Sequence, residues 1–276
     1  MNKPVETPLL GLSAGAQSKW TEERILDIRR WTPKLFSFRT TRHPGFRFVP
    51  GQFARLGLPL TADPCGEAVW RAYSMASASY DEHLEFFSIV VPGGEFTTRL
   101  ASLQTGDCIL VEKNNYGFLT TDRFVGGRDL WLLASGTGIA PFLSILRDPQ
   151  VWQDYENLIL VYSVREARDL AYEAELAALP QHELLAGLTE GKARLHYVPV
   201  VTRERVPGML DARITQLLAD GRLEAATGLP LGVERSRVMV CGNPQMAADL
   251  RKCLMERGLQ VGRRGKPGQL AFENYW

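Results

Sequence analysis

Three short clusters in the 276-residue chain combine residue types that handle phosphates and flat rings. Arg71-Ala72-Tyr73-Ser74 lies in a strand-like stretch, where a side-chain period of two puts Arg71 and Tyr73 on one face. A guanidinium beside an aromatic ring suits a ligand that carries a phosphate and a planar ring system. An ordinary structural pair on a barrel strand has the same pattern. Gly93-Gly94-Glu95-Phe96-Thr97-Thr98 follows an apolar strand and runs into TTRLASL, read as a helix capped by a threonine. That arrangement is either a second phosphate site at a helix N-terminus or a plain cap. Ser135-Gly136-Thr137-Gly138-Ile139-Ala140-Pro141 follows the apolar DLWLLA. Its glycines let the backbone approach a pyrophosphate, although a tight strand-to-helix turn with Pro141 at the helix start explains them too. The full G-x-G-x-x-G of the usual dinucleotide turn is missing.

The elements that must hold these clusters divide the chain in two. At about 150 residues per domain, 276 residues make roughly two domains, each large enough for its own core. From Trp20 to about Leu119 the pattern is short and period-two: ERILDIRRW, LFSFRTTR, FARLGLPL, WRAYSMAS, LEFFSIVV and DCILVEK, parted by Pro-Gly, Asp-Pro and Gly-Gly breaks. This is the pattern of an antiparallel β-barrel or sandwich. Residues 120–129 (TTDRFVGGRD) mark the boundary, as a linker between a domain over 19–119 and one over 130–276. Beyond it, strands and helices alternate: DLWLLAS, GIAPFLSILRD, NLILVYSV, LAYEAELAAL, ARLHYVPVVT, ITQLLADGRL, RVMVCG and PQMAADLRKCLMERGL, the last ended by Gly258. Such alternation implies right-handed crossovers and a doubly wound α/β domain with a parallel sheet. In such a sheet, ligands bind outside the carboxyl ends of the strands, where the Ser135–Pro141 loop lies.

Composition excludes several classes. The 32 basic and 31 acidic side chains nearly balance, and both halves are balanced too, with 13 against 12 over residues 1–119 and 19 against 19 in the rest. Nothing in this charge distribution calls for nucleic acid. Cys65, Cys108, Cys241 and Cys253 are widely spaced, without a C-x-x-C pair, which argues against a zinc site, an iron–sulfur centre and a disulfide scaffold. Residues 1–18 lack an export pattern and read as a short extension, so a cytoplasmic location and a reducing compartment are expected. Leu130 to Leu146 carries no charge, but Gly136, Gly138 and Pro141 break it into strand, loop and helix, and no membrane association is expected.

Taken together, RAYS, GGEFTTRL, ASGTGIAPFLSILR, YSVREARDLAY, VTRE and VMVCGNPQMAADL occur in an order that resembles the ferredoxin–NADP reductase family. WTPKLFSF, PGQFARLGL, EFFSIVVPGG, GLPLGVERSRVMVCGNPQM and the terminal ENYW resemble its bacterial ferredoxin/flavodoxin–NADP reductases, over about Lys19 to Trp276. The resemblance implies an FAD-binding barrel and an NADP(H)-binding α/β domain. Hydride exchange between NADP(H) and flavin N5 would be followed by single-electron exchange with ferredoxin or flavodoxin. On the FAD side it implies Arg71 at the pyrophosphate, Tyr73 against the isoalloxazine, Ser74 near N5, Ala72 among the FAD-binding residues, and Thr97 with the backbone of Glu95 and Phe96 at the pyrophosphate. On the NADP side it implies Gly136, Thr137 and Gly138 around the nicotinamide end, with Thr137 also close to the flavin. Cys241, Gly242 and Asn243 would form the opposite wall. Cys241 would lie beside the nicotinamide; a small buried residue at a strand end is the alternative. Arg165, Arg203 and Arg213 match the family's positions for the 2′-phosphate, a dianion that the arginine fork suits. Glu273 would supply a carboxylate near the flavin, a surface glutamate being equally consistent, while Tyr275 and Trp276 would fold back over FAD.

The resemblance further implies a monomer that meets an acidic electron carrier through a basic rim, for which Arg47, Arg55, Arg99, Arg263, Arg264 and Lys266 are candidates. Two other readings remain at this stage: the reductase component of a multicomponent oxygenase, and a flavin- or nucleotide-binding regulatory protein without turnover. Replacing Arg165 and Arg203 together by alanine is expected to raise the KM for NADPH by about tenfold or more, equivalent to about 1.4 kcal/mol. NADH kinetics should change little, and steady-state assays with both nucleotides check this.

Overall fold

The computed structural model describes residues 18–60, 67–189, 193–263 and 265–274. The period-two segments form β1 (Trp20–Arg30), β2 (Leu35–Thr41), β3 (Phe53–Pro59), β4 (Ala68–Ser74) and β5 (His83–Ile89), then helix α1 (Glu95–Ser102) and β6 (Cys108–Tyr116). Neighbouring strands are antiparallel in the order β4-β3-β6-β1-β2-β5. The two end strands meet just past β4, where Met75 bridges Phe86 and the Ala76 N–H donates to the Glu85 carbonyl at 2.7 Å. The sheet thereby closes into a barrel at one corner around Phe36, Phe38, Leu56, Phe86 and Phe96. Helix α1 differs from expectation: it starts at Glu95 with Gly94 as N-cap, so no threonine caps it. Thr97 lies in the first turn, and its hydroxyl accepts from the Val91 N–H at 3.0 Å, fastening the preceding loop.

The second half forms a parallel sheet of β7 (Asp129–Ser135), β8 (Asn157–Val164), β9 (Arg194–Val201), β10 (Ser236–Gly242) and β11 (Leu270–Asn274), ordered β11-β10-β7-β8-β9. Its helices are α2 (Ala140–Leu146), α3 (Pro149–Asp154), α4 (Glu173–Ala178), α5 (Glu183–Thr189), α6 (Ile214–Ala219), α7 (Arg222–Thr227) and α8 (Pro244–Glu256). Residues along β7 alternate between two cores. Leu130 and Leu132 join Phe142 and Trp152, whereas Trp131 and Leu133 join Leu217 and Leu250, so helices cover both faces. This is the doubly wound arrangement read from the sequence. The strand order reverses between β7 and β10, and the crevice at their carboxyl ends is where such sheets bind ligands.

Several local expectations change. LAYEAELAAL becomes helical only at Glu173, because Tyr172 takes a left-handed conformation with φ 65°. ITQLLADGRL breaks into α6 and α7 at Gly221, whose φ is 76°. LAFEN, to which the sequence pattern assigned no element, is strand β11, paired with β10 from Val238↔Leu270 to Gly242↔Asn274. Strand β7 begins at Asp129, inside the expected linker, which also carries a 3-10 turn over Thr121–Arg123. Residues 1–17 of the N-terminal extension, Cys65, Arg264, Tyr275 and Trp276 lie outside the described residues.

The two domains share one core. Leu35, Ala76, Phe87 and Leu119 of the first half are buried in the same cluster as Leu132, Phe142 and Tyr172 of the second. Phe87 is 3% exposed and meets the Tyr172 ring edge-on at 5.2 Å. Phe87→Ala is expected to cost about 3–4 kcal/mol, as large-to-small core changes do. In urea unfolding the signals of both domains should move together to lower midpoints rather than separate.

Candidate active site at the domain junction

On the barrel side, Arg71 and Tyr73 stand opposite Leu56 and Ala54 across the β3–β4 ladder, which puts them on one face as the period-two pattern requires. Arg71 is exposed, and its guanidinium donates to the Trp70 carbonyl at 2.7 Å. Tyr73 is half-buried: its ring lies 5.6 Å from that of Phe96 in α1, and its hydroxyl shares a 2.9 Å hydrogen bond with Ser88. Burial pushes the Tyr73 phenol up to about 12, so it is neutral across the physiological range. Phe96 is 1% exposed and serves as the barrel anchor of α1, leaving only its backbone for a ligand. The first turn of α1 carries no side-chain cap, and the helix packs against β4 through the Phe96–Tyr73 ring contact.

On the sheet side, the loops after β7 and β10 touch. A Cβ on Gly138 would fall inside contact distance of the Cys241 carbonyl and 2.7 Å from the Gly242 Cα. Gly242 has φ 133°, and a Cβ there would lie 2.6 Å from the Ser135 carbonyl. The Ser135 hydroxyl accepts from the Asn243 N–H at 3.0 Å, and the Asn243 side chain caps α8 through the N–H groups of Gln245 and Met246. Gly136 is different, with φ 55° and open space where a Cβ would stand. Thr137 is half-buried beside it, and Cys241 is fully buried at the end of β10.

A row of residues connects the two sides. Phe53 pairs with Ser74 on one side and Tyr116 on the other. Gly117 follows Tyr116; a Cβ there would lie 3.0 Å from the Phe53 ring and 3.4 Å from both Glu273 carboxylate oxygens. Glu273 in turn pairs with Cys241 across β10 and β11. Neither of its oxygens is exposed, and no described residue donates to them. Burial raises the Glu273 carboxyl to about 7. The surface alternative for this glutamate is thereby set aside.

At the outer edge of the sheet, Thr202, Arg203, Arg205, Asp211, Arg213 and Arg222 line an open groove of roughly 660 Å³. The Arg203 N–H donates to the Arg165 carbonyl at 2.9 Å, which places Arg165 beside this groove at the end of β8. Arg205 and Arg222 both pair with Asp211, at 3.6 and 3.1 Å. The side chains of Arg165, Arg203 and Arg213 are exposed and make no ion pair among the described residues, so the groove keeps a net positive charge.

Residues 30–116 match the family model described as an oxidoreductase FAD-binding domain, and residues 132–252 match that of an oxidoreductase NAD-binding domain. The chain is 43% identical over 258 residues to ferredoxin–NADP reductase A of Sorangium cellulosum, covering 92% of this chain and 89% of that protein. The chain belongs to the ferredoxin–NADP reductase family. It is also 39% identical to the flavodoxin/ferredoxin–NADP reductase of Escherichia coli, over 93% of this chain and 99% of that one. Among solved structures, a ferredoxin NADP+ reductase from Neisseria gonorrhoeae with bound FAD and NADP superposes with a TM-score of 0.85 at 39% identity, covering 94% of this chain and all of that one.

The residues present fit both nucleotides expected of a ferredoxin–NADP reductase. An uncapped helix N-terminus packed against the strand that carries an exposed arginine suits a pyrophosphate. The glycine contact at the β7–β10 reversal brings two backbones close enough to form the floor of a second site. Sequence reasoning missed Phe53, Gly117, Arg205 and Arg222. The Arg203-Glu204-Arg205 spacing was a usable signal for the groove, whereas the role of Phe53 depends on strand register that the sequence does not carry.

Glu273 generates a pH prediction. Its carboxyl binds a proton more tightly folded, near pH 7, than unfolded, near the ordinary 4.5. The native state then holds more protons between these values, so this group's contribution falls as pH rises from about 4.5 to 7 and levels off above. Glu273→Gln is expected to remove that loss, gaining on the order of 2 kcal/mol over the wild type by pH 8 and little at pH 4.5. Thermal midpoints of the two proteins measured across this range check the sign.

Proposed function

We propose that this chain is an FAD-dependent ferredoxin/flavodoxin–NADP+ reductase whose two nucleotides meet between Ser74 and Cys241. The observation that carries this reading is the row Ser74, Phe53, Tyr116–Gly117, Glu273 and Cys241, which joins the FAD-binding barrel to the switch point of the NAD-binding sheet. Arg71 and the backbone N–H groups of Glu95, Phe96 and Thr97 hold the FAD pyrophosphate. Ala72, Tyr73 and Ser74 line the isoalloxazine, with Ser74 at the N5 edge. Bound FAD supplies the conversion between two-electron hydride chemistry and one-electron transfer.

Gly136, Thr137 and Gly138 hold the nicotinamide end of NADP(H) from one side; Cys241, Gly242 and Asn243 form the opposite wall. Full burial of Cys241 keeps water from that wall. Burial raises the Glu273 carboxyl to about 7, so near neutral pH it is only partly ionised and places less than a full negative charge where a hydride must pass. Arg165, Arg203 and Arg213 bind the 2′-phosphate, with Arg205 and Arg222 adding to the same field. The reading includes a monomer in a reducing, cytoplasmic compartment. No helix among the described residues is long and apolar enough to cross a membrane.

The carrier docks on a basic rim. Arg55 and Arg99 pair with Glu112 and Glu95, each at 3.6 Å, so their charge is partly compensated. Arg47, Arg263 and Lys266 are exposed without an ion pair among the described residues, and they contribute most to attracting an acidic partner. Stopped-flow mixing of the FAD-loaded protein with NADPH should bleach the flavin in a single turnover, far faster than with NADH. Ferredoxin or flavodoxin added next should recover the oxidised spectrum at a rate that falls with ionic strength. Flavin reduction without transfer to either carrier would reject the assignment.

A further inference from the structure

The barrel and the sheet meet at a buried carboxylate that none of these roles uses. Glu85 lies in β5 opposite Arg39 and is 3% exposed. Its Oε1 accepts the Tyr172 hydroxyl at 3.0 Å, and its Oε2 lies 3.1 Å from Arg147 Nη1 and 3.6 Å from Arg39 Nη2. Tyr172 and Arg147 both come from the other domain. Arg147 is the C-cap of α2, the helix that the Gly136–Ile139 turn leads into. The same Arg147 Nη1 donates to the Ala76 carbonyl at 2.6 Å, two residues beyond Ser74. The Arg147 carbonyl accepts the Tyr80 hydroxyl at 3.1 Å. Residues 136–146 thus form a rod of roughly 17 Å, with the Thr137 loop at one end and, at the other, a clamp on the backbone that follows Ser74.

Tyr172 reinforces the same joint. It is the one non-glycine residue with positive φ among the described residues, a conformation that persists only where the surroundings impose it. Its ring lies 4.7 Å from Trp31 and 5.2 Å from Phe87, both barrel residues, and is fully buried. The left-handed turn is what carries the hydroxyl to Glu85.

We propose that Glu85, held by Arg147 and Tyr172, is a positioning residue for hydride transfer. It fixes the separation between the backbone at Ser74 and the loop at Thr137. The inference rests on the placement of flavin at Ser74 and nicotinamide at Thr137 given under the proposed function. Hydride transfer is sensitive to such a joint, since a displacement of about 1 Å costs up to roughly a hundredfold in rate.

Glu85→Gln keeps the shape and removes the charge; Tyr172→Phe removes only a hydroxyl. Both are tested as full-length, FAD-loaded protein at 25 °C. At saturating NADPH, flavin reduction should slow by about tenfold or more in Glu85→Gln and by about threefold in Tyr172→Phe. The long-wavelength charge-transfer absorbance of the NADPH complex should weaken, while the Kd for NADPH and electron delivery from dithionite-reduced protein to ferredoxin stay as in the wild type. A lower Tm with wild-type flavin reduction and wild-type absorbance would overturn the proposal, because a contact serving stability alone behaves that way. If Glu85→Gln does not fold, Tyr172→Phe decides by the same two readouts. Ser74→Ala run in parallel separates the two levels. Should it slow flavin reduction while neither joint variant does, the positioning role fails alone; should it have no effect, the placement of flavin at Ser74 fails.

Discussion

A hydride passes only between atoms in contact, so a protein that places donor and acceptor on different domains must hold those domains to within a fraction of an ångström. The rest of this structure is organised around that constraint. A mobile interface of polar contacts would leave the gap variable. Here the interface is instead a continuation of the hydrophobic core, in which Leu35, Phe87 and Leu119 pack into the same cluster as Leu132, Phe142 and Tyr172. Close-packed interiors resist small displacements because every shift opens a void or forces an overlap. The buried Glu85 pair then adds direction to a core that by itself is only adhesive.

Within the sheet, the same constraint explains the glycines at the reversal point. Gly138 and Gly242 are not spacers; each fills a position where the facing backbone leaves no room for a Cβ. The contact makes the carboxyl ends of β7 and β10 a single rigid floor, held further by Ser135 and Asn243. Gly136, by contrast, faces open space with a left-handed backbone, as expected of a residue shaped for something that approaches from outside.

The barrel and the doubly wound sheet were legible because their patterns are local: NLILVYSV is β8 to the residue, and the clusters RAYS, GTG and CGN fall at strand ends as expected. What was not legible is set by long-range partners. LAFEN received no assignment because its strand character comes from pairing with β10. Glu85, in LEFFSI, breaks an apolar run, and nothing local signals that the other domain buries it. The helix start at Glu173 shifts because Tyr172 bends to reach Glu85 and Phe87, and nothing in YSVREARDLAYE signals a left-handed tyrosine. In the candidate site, the residue types that drew attention in the sequence lie at the domain junction, while the row from Phe53 to Glu273 required the register.

The arginine groove at the ends of β8 and β9 sits on the outer margin of the sheet, and the shared core on its inner side. The two can therefore change independently in the course of descent. Under the proposed role of the groove in holding the 2′-phosphate, exchanging or losing its arginines would alter which nucleotide is chosen without touching the packing that aligns the domains. Transplanting an entire α/β half from a distant relative would, by contrast, have to bring its matching barrel face along. Under that role, cofactor preference could drift while the barrel and the sheet stay tied together by the core they share.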